Sequence, residues 1–306
     1  MRHASSNPPW CRRGQVVDVL LIPKAIVRTI AVDHAGKVMF PRTITRLEIL
    51  DFHEAPADQF LREFIEEIAD RLPKTSSAAL VSTLFRRSLA SSPPALEESV
   101  RRLRNRLAPG FLAPAPSGSD GDDREDVNSL PSAIPEDAEL IAALNECLAE
   151  IDRSPGDSKF EIFLAKIMEK RSDNSAPFSL AVVTQYRATL FYLQAQLEEL
   201  GFKTNILHGG MTFDERMQSV DRFKQEGGVL IATAATMTEG INLSQVEKLV
   251  LYDLSTSKLK LEQIYGRFQQ FGRTVPLKLS VLYNLDDTDG ATAQSLDKLR
   301  EIVATE

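Results

Sequence analysis

From residue 178 to residue 285, short apolar runs alternate with longer segments whose apolar residues return every three or four positions. The runs at 178–184 (FSLAVVT), 204–207, 229–232, 249–252 and around 279–285 are too short for buried helices and read as strands. Between them, Leu190, Leu193, Leu197 and Leu200 mark the inner face of a helix ended by Gly201, and residues 212–224 give another helix. His208-Gly209-Gly210 reads as a turn. Strands alternating with helices predict a parallel sheet with right-handed crossovers, covered on both faces as a doubly wound layer.

The pattern before residue 178 is different. An apolar run at 16–32 meets the turn-like Asp33-His34-Ala35-Gly36, and alternation around Ile44, Leu47, Ile49 and Phe52 predicts an extended segment. A helix follows over 56–72, with Phe60, Phe64, Ile65 and Ile68 on one side. Residues 77–107 hold two helical patterns hinged at Ser91-Ser92-Pro93-Pro94, where the prolines break the first helix and Pro94 suits the start of the second. That second helix sets Leu96, Val100, Leu103 and Leu107 against Arg101, Arg102, Arg104 and Arg106, which reads as a solvated basic face or a phosphate contact. Composition shifts over 109–135 to Ala, Pro, Ser, Gly and Asp, including SGSDGDDRED, a linker that cannot bury enough apolar surface to order itself. Helical patterns resume at 138–151 and 158–170 and end at a polar boundary over 172–177.

Composition changes this picture little. With 306 residues, 43% hydrophobic and 26% charged, the chain has room for one large or two modest cores. A formal net charge of -7 argues against uniform coating of nucleic acid but leaves room for a local basic groove. Cys11 and Cys147 stand alone, and His3, His34, His53 and His208 are scattered, so neither a disulfide nor a metal site is expected. The basic start, with VVDVLLIP behind it, is too short and too charged for a signal peptide or membrane span, so a cytoplasmic protein is expected.

Candidate chemistry concentrates in residues 229–273. The run at 229–232 breaks into Thr233-Ala234-Ala235-Thr236-Met237-Thr238-Glu239-Gly240, and the run at 249–252 closes on Asp253. Gln263, Gly266, Arg267, Gln270 and Arg273 then recur at spacings of three and four, which makes them neighbours on a helix. A guanidinium fork matches phosphate oxygens and stays charged. A solvated surface helix carries arginines at the same spacing, so context decides between the two readings.

Together, TEGINL (238–243) and QIYGRFQQFGR (263–273) resemble motifs V and VI of superfamily-2 helicases and translocases, most closely the Swi/Snf-like branch. There the second motif reads Gln-x-x-Gly-Arg-x-x-Arg-x-Gly-Gln or Arg. AVVTQYRATL (181–190) is similar to motif IV, and ILHGGMTFDERMQSVDRF (206–223) to the family's strand, small-residue turn and Arg-x-x-x-x-x-x-Phe helix. LFRRSLASSPPAL (84–96) resembles a helical insertion of bacterial Swi/Snf-like proteins. Phe40-Pro41-Arg42 with Ala57-Asp58-Gln59-Phe60 is similar to the segment between the two motor lobes.

The resemblance implies an α/β fold: a parallel, RecA-like doubly wound sheet, the second lobe of a P-loop NTPase-type motor, preceded by a mainly helical region. Its divisions are an inter-lobe remnant over 1–55, a helical region over 56–108, the linker over 109–135, a helical connector over 136–177, the RecA-like domain over 178–290 and a C-terminal helix over 291–306. The implied cofactor is ATP with Mg²⁺, held mainly by a partner lobe. Glu239, Gly240, Asn242, Gln263 and Gly266 would face ATP, and Arg267 would make the leading phosphate contact. Gln270 stands where the family has its second arginine, and Arg273 is a partial substitute. Thr184, Gln185, His208, Gly209 and either Thr233 or Thr236 would contact a nucleic-acid backbone, DNA before RNA.

No Gly-x-x-x-x-Gly-Lys-Ser/Thr loop and no acidic box after a strand occur in the 306 residues, so the phosphate-cradling half of such a motor is expected from another lobe, in trans or lost by truncation. Two functions follow: the C-terminal half of an ATP-dependent translocase, or a degenerate lobe that binds nucleic acid or protein without turnover. A small-molecule enzyme lacks any nucleophile and base constellation.

Overall fold

The computed structural model describes residues 17–19, 45–71, 76–107, 138–153, 157–171, 178–238, 241–243, 246–269, 273, 276–287 and 291–305. The turn expected at 33–36, the Phe40-Pro41-Arg42 element and the linker over 109–135 lie outside these residues.

Among the described residues, six parallel strands form the sheet, with a short antiparallel strand at one edge. In chain order they are β1 (Val17–Val19), β2 (Thr45–Phe52), β3 (Ser179–Thr184), β4 (Thr204–Leu207), β5 (Gly228–Thr233), β6 (Lys248–Leu251) and β7 (Leu277–Asn284). Their spatial order is β1-β2-β7-β6-β3-β5-β4. The central strands alternate their apolar side chains between two cores. Ala181, Val183, Leu230, Ala232, Leu249 and Leu251 face one layer, and Leu180, Val182, Val229, Ile231 and Val250 face the other.

Helices α7 (Phe213–Glu226), α8 (Lys258–Phe268) and α9 (Ala291–Thr305) cover the first face through Phe223, Ile264, Phe268, Leu299 and their neighbours. Helices α5 (Ser158–Arg171) and α6 (Arg187–Glu199) cover the second through Phe163, Ile167, Leu190, Leu193 and Leu197. The architecture is the doubly wound layer that the alternating pattern predicts. Chain reversals follow local chemistry. Gly201, at φ 76°, ends α6 with two bonds, Gly201 N–H to the Glu198 carbonyl and Phe202 N–H to the Leu197 carbonyl. Leu200, expected on the inner face, is instead the C-cap residue and is exposed. Gly228 has φ 101° and lies so close to Lys203 that a Cβ would sit 2.5 Å from its carbonyl oxygen, so β5 can begin there only with glycine.

Residues 45–52, assigned above to an inter-lobe remnant, form a full strand of the sheet. Strand β2 pairs in parallel with β7 from Thr45 opposite Leu277 to Phe52 opposite Asn284. Such membership depends on a partner more than 220 positions away, which local periodicity does not encode.

The remaining helices are α1 (Pro56–Arg71), α2 (Ser76–Ser91), α3 (Pro93–Leu107) and α4 (Ala138–Arg153). They share a third core of Leu61, Ile65, Ile68, Phe85, Leu96, Val100, Leu103, Leu144 and Cys147. On α1 the buried face uses Leu61 in place of the expected Phe60, which is 48% exposed. Two arginines of α3 are paired within the helix, Arg101 with Glu97 and Arg102 with Glu98, and Arg104 donates to the Asn145 side-chain oxygen. Cys147 is a buried free thiol, and burial pushes its pKa up to about 12.

Candidate functional site

The chain leaves β3 toward β4 and β5 on one side of the sheet and leaves β6 toward β7 on the other. Adjacent strands that depart in opposite directions open a crevice beyond their carboxyl ends. A groove of about 350 Å³ lies there, with Tyr252, Asp253, Gln185 and Lys159 in its lining, Arg87 on one wall and Lys260 on another. Asp253 gathers the strand ends. Its Oδ2 accepts from the Thr184 hydroxyl at 2.5 Å, the Ser91 hydroxyl at 2.8 Å and the Gln185 backbone N–H at 3.0 Å.

The Lys159 ammonium donates to Asp253 Oδ1 at 2.6 Å and to the Ala90 carbonyl at 2.7 Å, and stands 4.3 Å from the centre of the Tyr252 ring. The two side chains are only 10% and 9% exposed. A cation at the last carbonyls of α2 is well placed electrostatically, and here it also neutralises a carboxylate withheld from water. Ser91, Ser92 and Thr189 complete the cluster, with both serine hydroxyls within 2.7 Å of the Thr189 hydroxyl. The hinge that separates α2 from α3 is therefore also a contact with the first turn of α6.

Thr184 is the buried last residue of β3, and Gln185 opens the loop that follows it. His208 and Gly209 follow β4, next along the sheet edge. The His208 ring is largely buried; its Nδ1 accepts from the Gly210 N–H at 3.1 Å, and its edge meets the Phe191 ring at 5.3 Å. The Arg187 guanidinium lies 5.8 Å from the Phe191 ring centre, so the first turn of α6 adds a cation and an exposed aromatic to this edge.

Past β5, the Thr233 and Thr236 hydroxyls are hydrogen-bonded to each other at 2.7 Å, and both are buried. The structure pairs the two candidates instead of separating them. A 3-10 turn over Thr236–Thr238 then meets α8, where Arg267 Nε donates to the Met237 carbonyl at 3.2 Å and the Arg267 carbonyl accepts from the Leu243 N–H at 3.1 Å. The segments read as motifs V and VI are therefore joined through Arg267. Gln263 and Asn242 are exposed, and a Cβ at Gly266 would find nothing within 4 Å. No packing contact within the fold requires glycine at that position. Glu239, Gly240 and Gln270 lie outside the described residues.

The helix expected to carry residues 263 to 273 stops at Phe268, with Gln269 as its C-cap. Arg273 is off the helix, 3% exposed, and its Nη1 donates to the Val246 and Phe268 carbonyls at 2.9 and 3.0 Å. Burial lowers its pKa from the ordinary value. In this position the guanidinium closes the end of α8, and the i,i+3 and i,i+4 relation assumed for it does not hold. Lys159, Asp253, Ser91 and Thr189 were not among the candidates; the Ser-Ser step before two prolines was read only as a break. Among the described residues, no group of three or more His, Cys, Asp or Glu side chains is placed to hold a metal ion. No helix among them is long and apolar enough to cross a membrane.

Sheet order and strand-end loops define a RecA-like, doubly wound fold. Comparison with known proteins supplies the family. Residues 158–272 match the helicase conserved C-terminal domain. The RNA polymerase-associated protein RapA of Vibrio campbellii is 30% identical over 144 residues, 46% of this chain and 14% of RapA. The uncharacterized ATP-dependent helicase YqhH of Bacillus subtilis is 26% identical over 230 residues, 74% of this chain and 35% of YqhH. The matches thus span well under half the length of these relatives. The C-terminal part of the Fun30 ATPase domain shares the fold with a TM-score of 0.51 at 15% identity, covering 85% of this chain and 96% of that one. The Pyrococcus furiosus Hef helicase domain does so with a TM-score of 0.54 at 15% identity, covering 82% and 58%. Residues 158–272 of the chain therefore carry a helicase conserved C-terminal domain.

Proposed function

We propose that this lobe serves an ATP-dependent nucleic-acid translocase of the Swi/Snf-like kind, with DNA as its track, and that it completes an ATP site whose phosphate loop belongs to another lobe. The observation that carries the reading is the bare α8 surface. Arg267 is held on Met237 beside Gly266, which leaves open space where a γ-phosphate would approach. When bound, ATP with Mg²⁺ supplies the phosphoryl group and its leaving group. The residues of this lobe fit a supporting part: Arg267 offsets charge, and Gln263, one turn before it on α8, and Asn242 are exposed. Gln185 and Gly209, with the edge of the His208 ring, meet the backbone of the track at the strand ends, whereas Thr184 is fully buried with its hydroxyl on Asp253 and supports the loop from beneath. RapA, by its name, associates with RNA polymerase; a similar partner is one possible setting for this lobe.

Steady-state ATP hydrolysis with saturating DNA tests the reading. The chain alone should show none. Paired with a first-lobe polypeptide that has a phosphate loop, it should turn over, and Arg267→Ala should lower the rate by about 10³-fold. A pair that binds DNA but does not turn over would instead support a non-catalytic interaction module, the reading favoured by an amide at Gln270. In an active pair, Gln270→Arg should raise turnover at least about tenfold, roughly 1.4 kcal/mol of barrier.

A further inference from the structure

We propose that Asp253 is a positioning residue for the strand-end loop at Gln185 and Tyr186, and that Lys159 and Ser91 make its hold conditional on the helical region being docked against the sheet. The proposal rests on the reading of that loop as a nucleic-acid contact.

Asp253 lies two residues past the end of β6, and the backbone there is already tied to β3 by the Tyr252 N–H on the Val183 carbonyl at 2.8 Å. Its carboxylate therefore has a fixed origin from which to grip the loop. It holds the chain at two points, the Thr184 hydroxyl at the end of β3 and the Gln185 N–H where the loop begins. A carboxylate that accepts several short bonds orients its donors well only while its own charge is balanced. That balance comes from outside the sheet. Lys159 belongs to α5 and is itself anchored by the Ala90 carbonyl at the end of α2. Ser91, the last residue of α2, donates to the same oxygen that holds Thr184 and Gln185.

The end of α2 thus reaches the loop through the Asp253 carboxylate, with Ser91 on Oδ2 and Lys159, anchored on Ala90, on Oδ1. Withdrawal of α2 would remove the Ser91 donor and free Lys159 from its carbonyl anchor. It would also part Ser91 and Ser92 from Thr189, at the start of the helix that follows the loop. Docking of α2 and order at Gln185 are then linked: whatever favours one favours the other.

Hydrogen–deuterium exchange on the full chain reads this directly, because the Gln185 amide donates to Asp253. Ser91→Ala should speed exchange at Gln185 tenfold or more while Ile231, in the middle of β5, keeps its rate. Lys159→Met should act in the same direction and more strongly. Exchange at Gln185 that stays unchanged, or rises only in step with Ile231, overturns the proposal. A second arm measures fluorescence anisotropy with labelled oligothymidine, for which Ser91→Ala should weaken binding about tenfold at an unchanged melting temperature. A wild-type chain that ignores oligothymidine overturns the nucleic-acid reading, and the exchange arm still decides the coupling. Binding by wild type and Ser91→Ala with equal affinity, despite faster exchange at Gln185, overturns the positioning role.

Discussion

Leu103 and Ser91 belong to the same helical region but face different neighbours. Leu103 is buried with Leu61, Val100 and Leu144 in a core without charge, where any side chain of similar volume and apolarity satisfies the site. Ser91 faces the sheet, among Asp253, Lys159 and Thr189, where each group has a donor or acceptor direction to meet. The apolar core makes the region cohere; the polar junction fixes where it sits. A dry contact would have tolerated sliding by a residue, but a shared carboxylate oxygen does not, since hydrogen bonds weaken steeply with misalignment. The difference teaches that stability and position are encoded by different side chains within a few turns of helix.

The sharpest way to break this contrast is Lys159→Met. It leaves the Asp253 carboxylate buried without its counterion, and loss of one partner from a buried pair costs about 3–5 kcal/mol. Chemical denaturation should show that loss, and the double variant Lys159→Met with Asp253→Asn should regain at least about half of it, because no uncompensated charge then remains. Equal losses in the single and double variants would mean that the pair is wetter than its exposure indicates.

Next in size is Leu103→Ala, which opens a cavity in the helical core and should cost roughly 2–5 kcal/mol in the same assay. The contrast requires more than the number. Exchange at Gln185 should stay at the wild-type rate in this variant, since nothing at the junction has changed. Coupled loss of protection would merge the two regions into one cooperative unit and remove the distinction drawn between them.

Much of the fold was readable because strands covered on both faces must be apolar throughout. Residues 178–184, 229–232 and 249–252 carry that signature, and Gly201 ends its helix for a reason visible in one residue. Three features were not readable, each for want of a distant neighbour. Strand β2 needs β7 beside it. Helix α8 ends at Phe268 because Arg273 folds back onto its last carbonyls, a contact hidden from a pattern of three and four. Leu61 replaces Phe60 in the core because the position of α1 against α2 and α4 selects the face. At the site, Thr184 and Gln185 were marked by their motif. Asp253, which holds them, is 69 positions from Thr184 in sequence, yet β6 and β3 are adjacent in the sheet, so only topology brings the three together.

The smallest expected effect probes the junction's electrostatics through Asp157, which caps α5 at the Phe160 N–H. Burial pushes its carboxyl up to about 6, partly offset by that N–H bond and by Lys159, while Asp58 across the junction pushes the same way as burial. The native state therefore binds this proton more tightly than the unfolded chain, whose aspartates titrate near 3.8. By linkage, the group's contribution is most favourable below about pH 3.8 and is lost as pH rises through about 6. Asp157→Asn keeps an oxygen for the cap and removes the charge. Its stability should exceed that of the wild type by on the order of 2 kcal/mol at pH 8, and the gap should close as pH falls through 6 toward 4. Taking the difference between variant and wild type cancels the groups that move the other way, such as Asp286, whose carboxyl is held down by the Glu54 N–H and His53. A gap that is constant with pH would place the Asp157 carboxylate in contact with water, and the junction beneath α5 would then be open instead of closed. Leu103→Ala supplies the control: an apolar cavity has no proton to bind, so its cost should not follow the same pH curve.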